Sequence, residues 1–252
     1  MKLLILLLFY IISLDVFSIE SNEFEYENNK VKLLLVEKKN NKLNLGLEFN
    51  LNKDWKIYWK YPGDSGSPPK ISTKDKIIDD TVEINWPLPK DLYEKSISLT
   101  TRIYENNIIL PISAEINNFD YEVKNDVSFY LEFQICKDIC IPINTILKIN
   151  IPKDNYFSKK NSIKINKFKK LIPKNINLSN VYKIDKVFTY NEDIIINIKK
   201  NIKDKNSSIK NIKAFIHNDK LPTLRFKRYN ESKEDIKIIL TGLKNDQNNI
   251  EE

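Results

Sequence analysis

Hydrophobic and polar residues alternate with a period of two through most of the first half of the chain. Leu43, Leu45, Leu47 and Phe49 interleave with Asn44, Gly46, Glu48 and Asn50, the pattern of a strand with one face buried and the other wet. Similar runs cover Val31–Glu37, Trp55–Lys60, Thr81–Trp86, Ser96–Tyr104, Ile108–Ile116, Val127–Cys136 and Ile141–Ile151. About eight short strands with no long amphipathic helix between them predict an all-β chain, an antiparallel sandwich or barrel rather than a βαβ sheet. Glu105-Asn106-Asn107 fits a hairpin connection between two of these strands.

The alternation fails between Asn155 and Asn177. Asn161 or Ser162 is positioned to cap a short helix with Ile165, Phe168 and Ile172 on one face, ended by Pro173. Beyond it, Val181–Phe188, Asp193–Lys199, Asn211–Ile216, Thr223–Tyr229 and Asp235–Thr241 read as a second set of strands. The expected organisation is a first β domain over residues 19–154, a linker with a short helix over 155–178, a second small β-sandwich over 179–246 and a polar tail over 247–252.

Residues 1–18 have the layout of an export signal. Lys2 supplies the positive start, Leu3–Leu14 is almost wholly apolar, and Val16-Phe17-Ser18 offers a cleavage site near Ser18. The apolar run is short for a membrane span of ~20 residues, which leaves an uncleaved anchor as the competing reading. No cysteine follows that run to carry a lipid, and no later segment reaches spanning length, so an exported soluble protein is expected.

Charge changes this picture little. The net +7 comes from lysines that mostly alternate with acids in a chain rich in Lys, Asn and Ile throughout, as a biased genome would produce. Only Lys159–Lys174 concentrates positive charge without acids. Nucleic acid would ask for a basic stripe with stacking aromatics, so no nucleic-acid partner is expected and a solvated linker accounts for the run.

The chemistry centres on the only two cysteines, Cys136 and Cys140, four positions apart between two strand runs. Folding those runs into a hairpin with loop Lys137-Asp138-Ile139 sets Cys136 opposite Cys140, Ile135 opposite Ile141 and Phe133 opposite Ile143. The apolar residues then share one face and the sulfurs the other, with Cα atoms ~4.5–5.5 Å apart, within disulfide reach. Such a bond closes too short a loop to remove much chain entropy, so its value as a staple is modest. Thiol-disulfide exchange suits a lone pair at a loop, although an exported setting also permits a structural bond. Lys137 favours a thiolate and Asp138 opposes it. Two thiolates can also hold Cu(I), whereas zinc wants more ligands than His217 supplies, and nothing pairs Cys140 with His217 as a hydrolase. A non-enzymatic adaptor with a structural or copper-binding pair is therefore the second reading.

Three blocks carry a family resemblance: Trp55-Lys56-Ile57-Tyr58-Trp59-Lys60-Tyr61-Pro62-Gly63-Asp64-Ser65-Gly66-Ser67-Pro68-Pro69, Ile84-Asn85-Trp86-Pro87-Leu88-Pro89, and Cys136-Lys137-Asp138-Ile139-Cys140-Ile141-Pro142. In this order they resemble the periplasmic N-terminal region of the DsbD/ScsB thiol:disulfide interchange proteins, closest to the ScsB type, over roughly Lys30–Pro152. The resemblance implies an immunoglobulin-like sandwich with a redox-active pair, Cys140 forming mixed disulfides and Cys136 resolving them. It implies thioredoxin-like oxidoreductases as partners, a periplasmic location, no cofactor or metal, and processes such as cytochrome c biogenesis or copper tolerance. The membrane and thioredoxin-like domains of the family are not found in this sequence, which calls for a separate membrane electron-transfer protein, a longer parent chain or lost activity.

An aromatic cap loop shields the cysteines in that family. Tyr61, Pro62, Gly63, Asp64, Ser65 and Gly66 are the candidate equivalent, with two of the chain's four glycines and Tyr61 as the lid residue. Trp55 and Trp59 are expected in the core, and Trp86 at a strand end.

Overall fold

The computed structural model describes residues 18–75, 78, 82–96, 98–117, 126–173, 182–200, 225–232 and 234–241. The signal expectation up to Phe17, the expected strand Asn211–Ile216, His217 and the polar tail lie outside the described residues. The chain divides into two compact units. One comprises Met1–Lys60, Gly66–Asp91 and Arg102–Ile172, the other Tyr61–Ser65, Leu92–Thr101 and Pro173–Glu252.

The first strands are β1 (Phe24–Tyr26), β2 (Asn29–Lys39), β3 (Lys42–Asn50), β4 (Lys56–Gly63), β5 (Lys70–Thr73) and β6 (Glu83–Ile84). There follow β7 (Lys90–Glu94), β8 (Leu99–Glu105), β9 (Asn107–Glu115), β10 (Asp126–Cys136), β11 (Cys140–Asn150) and β12 (Tyr156–Phe157). They form two antiparallel sheets, one ordered β1-β2-β3-β9-β6 with β12 on β2, the other β11-β10-β4-β8-β7 with β5 on β10. This is the expected immunoglobulin-like sandwich.

Alternation decides which face is core. Val127, Phe129, Leu131, Phe133 and Ile135 of β10 are buried, as are Leu45, Leu47 and Phe49 of β3. The rings of Phe49 and Phe133 meet edge to face at 5.2 Å, joining one sheet to the other. Burial of each such side chain contributes ~1.5–3 kcal/mol, which fixes register because a one-residue slip would turn the whole row outward.

Several expected elements differ in detail. Thr81–Trp86 contracts to β6, Ser96–Tyr104 becomes β8, and β7 precedes it over a stretch where no strand was expected. The short strands β1, β5 and β12 have too few residues for a periodic signal. Glu105-Asn106-Asn107 is no hairpin, because β8 and β9 lie in different sheets. The chain passes from one sheet to the other at Asn106, whose φ of 63° is left-handed and whose short polar side chain tolerates that conformation.

The expected linker helix is α1 (Lys159–Lys169), and it packs on the first unit. Its cap is Ser158, not Asn161 or Ser162, with the Ser158 side chain accepting the Asn161 N–H at 3.2 Å. Asn161 is instead fully buried and donates through Nδ2 to the Leu35 carbonyl at 2.9 Å. Ile165 is buried against β3 at Gly46, where a Cβ would approach Ile109 Cγ2 to 2.8 Å and Ile165 Cδ1 to 3.2 Å. The missing side chain is what lets the helix sit this close.

The second unit holds an antiparallel sheet of β13 (Tyr182–Tyr190), β14 (Asp193–Lys200), β15 (Arg225–Glu231) and β16 (Asp235–Thr241), ordered β13-β14-β16-β15. Ile236, Ile238 and Leu240 form its buried cluster, with Ile194, Ile196, Ile198 and Phe226 packed against them.

Candidate functional site

Strands β10 and β11 pair in unbroken register from Asp126 opposite Asn150 to Cys136 opposite Cys140, with Ile135 opposite Ile141 and Phe133 opposite Ile143. The loop Lys137-Asp138-Ile139 is closed by the Lys137 N–H, which donates to the Ile139 carbonyl at 3.2 Å. Cys136 and Cys140 are joined in a disulfide with Cα atoms 4.1 Å apart. That separation is near the ~4.5 Å of a non-hydrogen-bonded antiparallel pair, so the bond fits a ladder already set by the apolar face.

The two cysteine residues differ in exposure. Cys136 is 1% exposed, whereas Cys140 is open to solvent. Of the pair, Cys140 is therefore the residue that solvent reaches.

Strand β4 continues the outer face beside the disulfide. Ile57 pairs with Ile135 and Lys56 with Cys136, so Lys56 and Tyr58 share the side of the sheet that carries the sulfurs. Tyr58 is only 3% exposed despite standing on that outer face. The chain at Gly66 covers it: φ there is +103°, and a Cβ would fall 2.3 Å from the Tyr58 ring. The next residue, Ser67, donates its N–H to Gln134 Oε1 at 3.0 Å, which ties the covering segment to β10. Beneath it the Tyr58 hydroxyl lies 3.3 Å from Cys140 Sγ. A disulfide sulfur carries no hydrogen, so Tyr58 donates, and the same contact would favour a thiolate forming on Cys140.

Each residue of the expected cap segment can be placed. Tyr61 and Pro62 lie half-buried in β4. Gly63, with φ +91°, follows them at the strand end, where a Cβ would meet the Thr100 carbonyl oxygen at 2.5 Å. Asp64 donates its N–H to the Thr100 carbonyl at 3.1 Å and accepts the Thr100 N–H at 2.7 Å. Ser65 is exposed, and Gly66 lies on Tyr58. Trp59 is buried and Trp55 half-buried with its ring edge-on to Tyr26 at 6.2 Å, while Trp86 is half-buried just past β6.

Tyr58 is the site residue that sequence reading missed. Its signal was present in the alternation of Lys56, Tyr58 and Lys60, which sets one large aromatic between two lysines on the nominally wet face. What covers that aromatic is decided by the left-handed backbone at Gly66, which no periodicity announces.

A two-sheet antiparallel sandwich with a disulfide at an open hairpin tip defines the class: an immunoglobulin-like domain with a cysteine pair able to exchange. A family model described as "Thiol:disulfide interchange protein DsbD, N-terminal" matches residues 26–151, half of the chain, and the chain belongs to this family. Among solved structures, the N-terminal periplasmic domain of ScsB from Proteus mirabilis matches with a TM-score of 0.66 at 13% identity, covering 89% of this chain and 85% of that one. This is a likeness of fold, and it extends past the family match into the second unit. The reduced N-terminal domain of DsbD from Neisseria meningitidis matches with a TM-score of 0.30 at 11% identity over 58% of this chain and 94% of that one, too low to carry an argument. No curated protein matches the chain in sequence.

Proposed function

We propose that the chain is a periplasmic thiol-disulfide exchange domain that passes reducing equivalents through Cys136 and Cys140 to or from thioredoxin-like oxidoreductases. The observation that carries this reading is the asymmetry of the pair: a disulfide at a hairpin tip with Cys140 exposed and Cys136 at 1%. A staple for stability needs no exposed sulfur and spans a longer loop. The resemblance to periplasmic domains supports the location, and a separate membrane protein is the proposed electron source.

In the reducing direction, the Cys140 thiolate attacks a partner disulfide and forms a mixed disulfide while the partner's second sulfur leaves as a thiolate. Cys136 then attacks Cys140 Sγ, closing the internal bond and releasing the partner with two electrons more than it had. Tyr58 positions Cys140 through its hydroxyl, 3.3 Å from the sulfur. Residues Tyr61–Gly66 are the proposed lid over the reduced pair, supported by the way Gly66 and Ser67 lie against Tyr58 and Gln134.

Trapping tests the roles. Cys136→Ala should accumulate a mixed disulfide through Cys140 with a thioredoxin-like protein, and Cys140→Ala should not. Equal trapping, or none, would show the roles to be wrong, and equal loss of folding in both variants would favour a structural bond. Tyr61→Ala should raise the rate at which peroxide or alkylating agents reach the reduced pair without lowering the unfolding midpoint. Unchanged reactivity would remove the lid and leave the cysteine roles standing.

A further inference from the structure

Ile139 is the most exposed large apolar side chain among the described residues, at 72%. A lone exposed isoleucine is ordinary on a protein surface. Its position here is not, since it occupies the hairpin tip and is bonded directly to Cys140, the sulfur open to attack. The Lys137 N–H to Ile139 carbonyl bond closes the loop on itself, so the side chain is held outward by a formed turn.

The edge of the sheet beside it is open as well. Strand β11 is the outermost strand of its sheet. At its far end the edge is closed by Asn22, which donates its N–H to the Lys148 carbonyl at 3.3 Å and its Nδ2 to the Ile146 carbonyl at 3.2 Å. The Asn22 side-chain oxygen also accepts the Lys148 N–H at 2.6 Å. Among the described residues nothing closes the same edge from Cys140 to Asn144. A protein that brings a thiolate to Cys140 also brings its own surface to the hairpin tip where Ile139 stands; a small thiol does not.

We propose that Ile139 is the docking contact for a thioredoxin-like partner: its side chain buries against an apolar rim beside the partner's reactive cysteine and so selects protein thiols over small ones. This rests on the exchange reading above and adds the surface that the partner uses. With a reduced partner, its thiolate bonds to Cys140 Sγ as the Cys136–Cys140 bond breaks, and Cys136 leaves as a thiolate that takes a proton from water. The partner's second thiolate then attacks the partner sulfur of the mixed disulfide, and Cys140 leaves and is protonated. The partner ends oxidised by two electrons and the chain reduced by two.

The test compares two reductants on the oxidised full chain, reduced thioredoxin and dithiothreitol, by stopped-flow with wild type, Ile139→Ser and Ile139→Leu. Losing the burial of one large apolar side chain should lower the second-order rate constant of Ile139→Ser with thioredoxin about tenfold. Its rate with dithiothreitol should stay within about twofold, and Ile139→Leu should keep most of the thioredoxin rate. An unchanged thioredoxin rate in Ile139→Ser overturns the proposal, as does an equal loss with both reagents, which would locate the effect at the disulfide itself. A wild-type disulfide that neither reagent reduces would sink the exchange reading, and this proposal with it.

Discussion

The two ends of the β10–β11 hairpin share one ladder and differ in almost everything else. At the far end Val127 and Phe129 face Ile149 and Leu147, all four at 1% exposure or less. There the flanks are closed by Asn22 on β11 and by Asp75, which accepts the Ser128 N–H at 2.6 Å on β10. At the near end Ile141 and Ile143 are half-exposed, Cys140 is open, and among the described residues no strand pairs with the outer edge of β11. One hairpin thus separates stability from reactivity along its length. Packing fixes the register at the closed end, and that register delivers two sulfurs face to face at the open end without asking the disulfide to hold the fold.

The sharpest way to break this contrast is at the closed end. Phe129→Ala removes a ring with no solvent exposure and should cost about 3–5 kcal/mol in denaturant unfolding. The protein that remains folded should still react with dithiothreitol at the wild-type rate; a loss of less than about 1 kcal/mol would mean the sheet does not anchor there. Gly66→Ala comes next, because it puts a methyl group into the Tyr58 ring at a φ of +103°. It should cost about 1–3 kcal/mol and, unlike Phe129→Ala, make the reduced pair react more slowly with iodoacetamide, because displacing Tyr58 removes the hydrogen bond that favours the Cys140 thiolate. Unaltered alkylation would separate the covering segment from the sulfur.

Asn22→Ala opens the far edge of β11 and should cost about 1 kcal/mol through lost hydrogen bonds, with no change in the rate of exchange. A slower exchange would show that the two ends are coupled. The smallest effect belongs to Glu20 and Lys32, whose Oε2 and Nζ are 2.7 Å apart beside the closed end. Partial burial opposes both charges, yet Lys32 with Ser18 and Lys164 together hold the Glu20 carboxyl below its ordinary range, and Glu20 with Glu48 and Glu23 hold the Lys32 ammonium above its own. A lowered carboxyl contributes stability that is present above its ordinary value and lost as pH falls through the depressed one. A raised ammonium contributes stability present below its ordinary value and lost as pH rises through the raised one. Glu20→Gln should therefore cost about 0.2–1 kcal/mol across the neutral range, with the difference from wild type vanishing in acid. A penalty that persists at pH 2 would assign the effect to packing rather than charge.

The hairpin, its register and the joined cysteines were legible in the sequence because alternation is local: Phe129, Leu131, Phe133 and Ile135 name their face by position alone, and three residues between two cysteines leave few ways to connect them. The six positions Leu45, Leu47, Phe49, Phe129, Leu131 and Phe133 were readable as core for the same reason, and all are buried. The three sequence blocks carried the family because they preserve side chains at fixed spacing. Tertiary structure decided the rest through contacts between distant segments. Asn106 was read as a hairpin because a turn looks the same from sequence whether its strands pair or part into opposite sheets. Helix α1 looked like a linker because its docking depends on the absent side chain of Gly46, more than a hundred residues earlier. Tyr58 meets Cys140 across 82 positions, and Cys140 is the exposed member of the pair because the fold buries Cys136 and leaves its partner at an edge. A period along the chain reports which way a side chain points; only the folded molecule determines what stands in front of it.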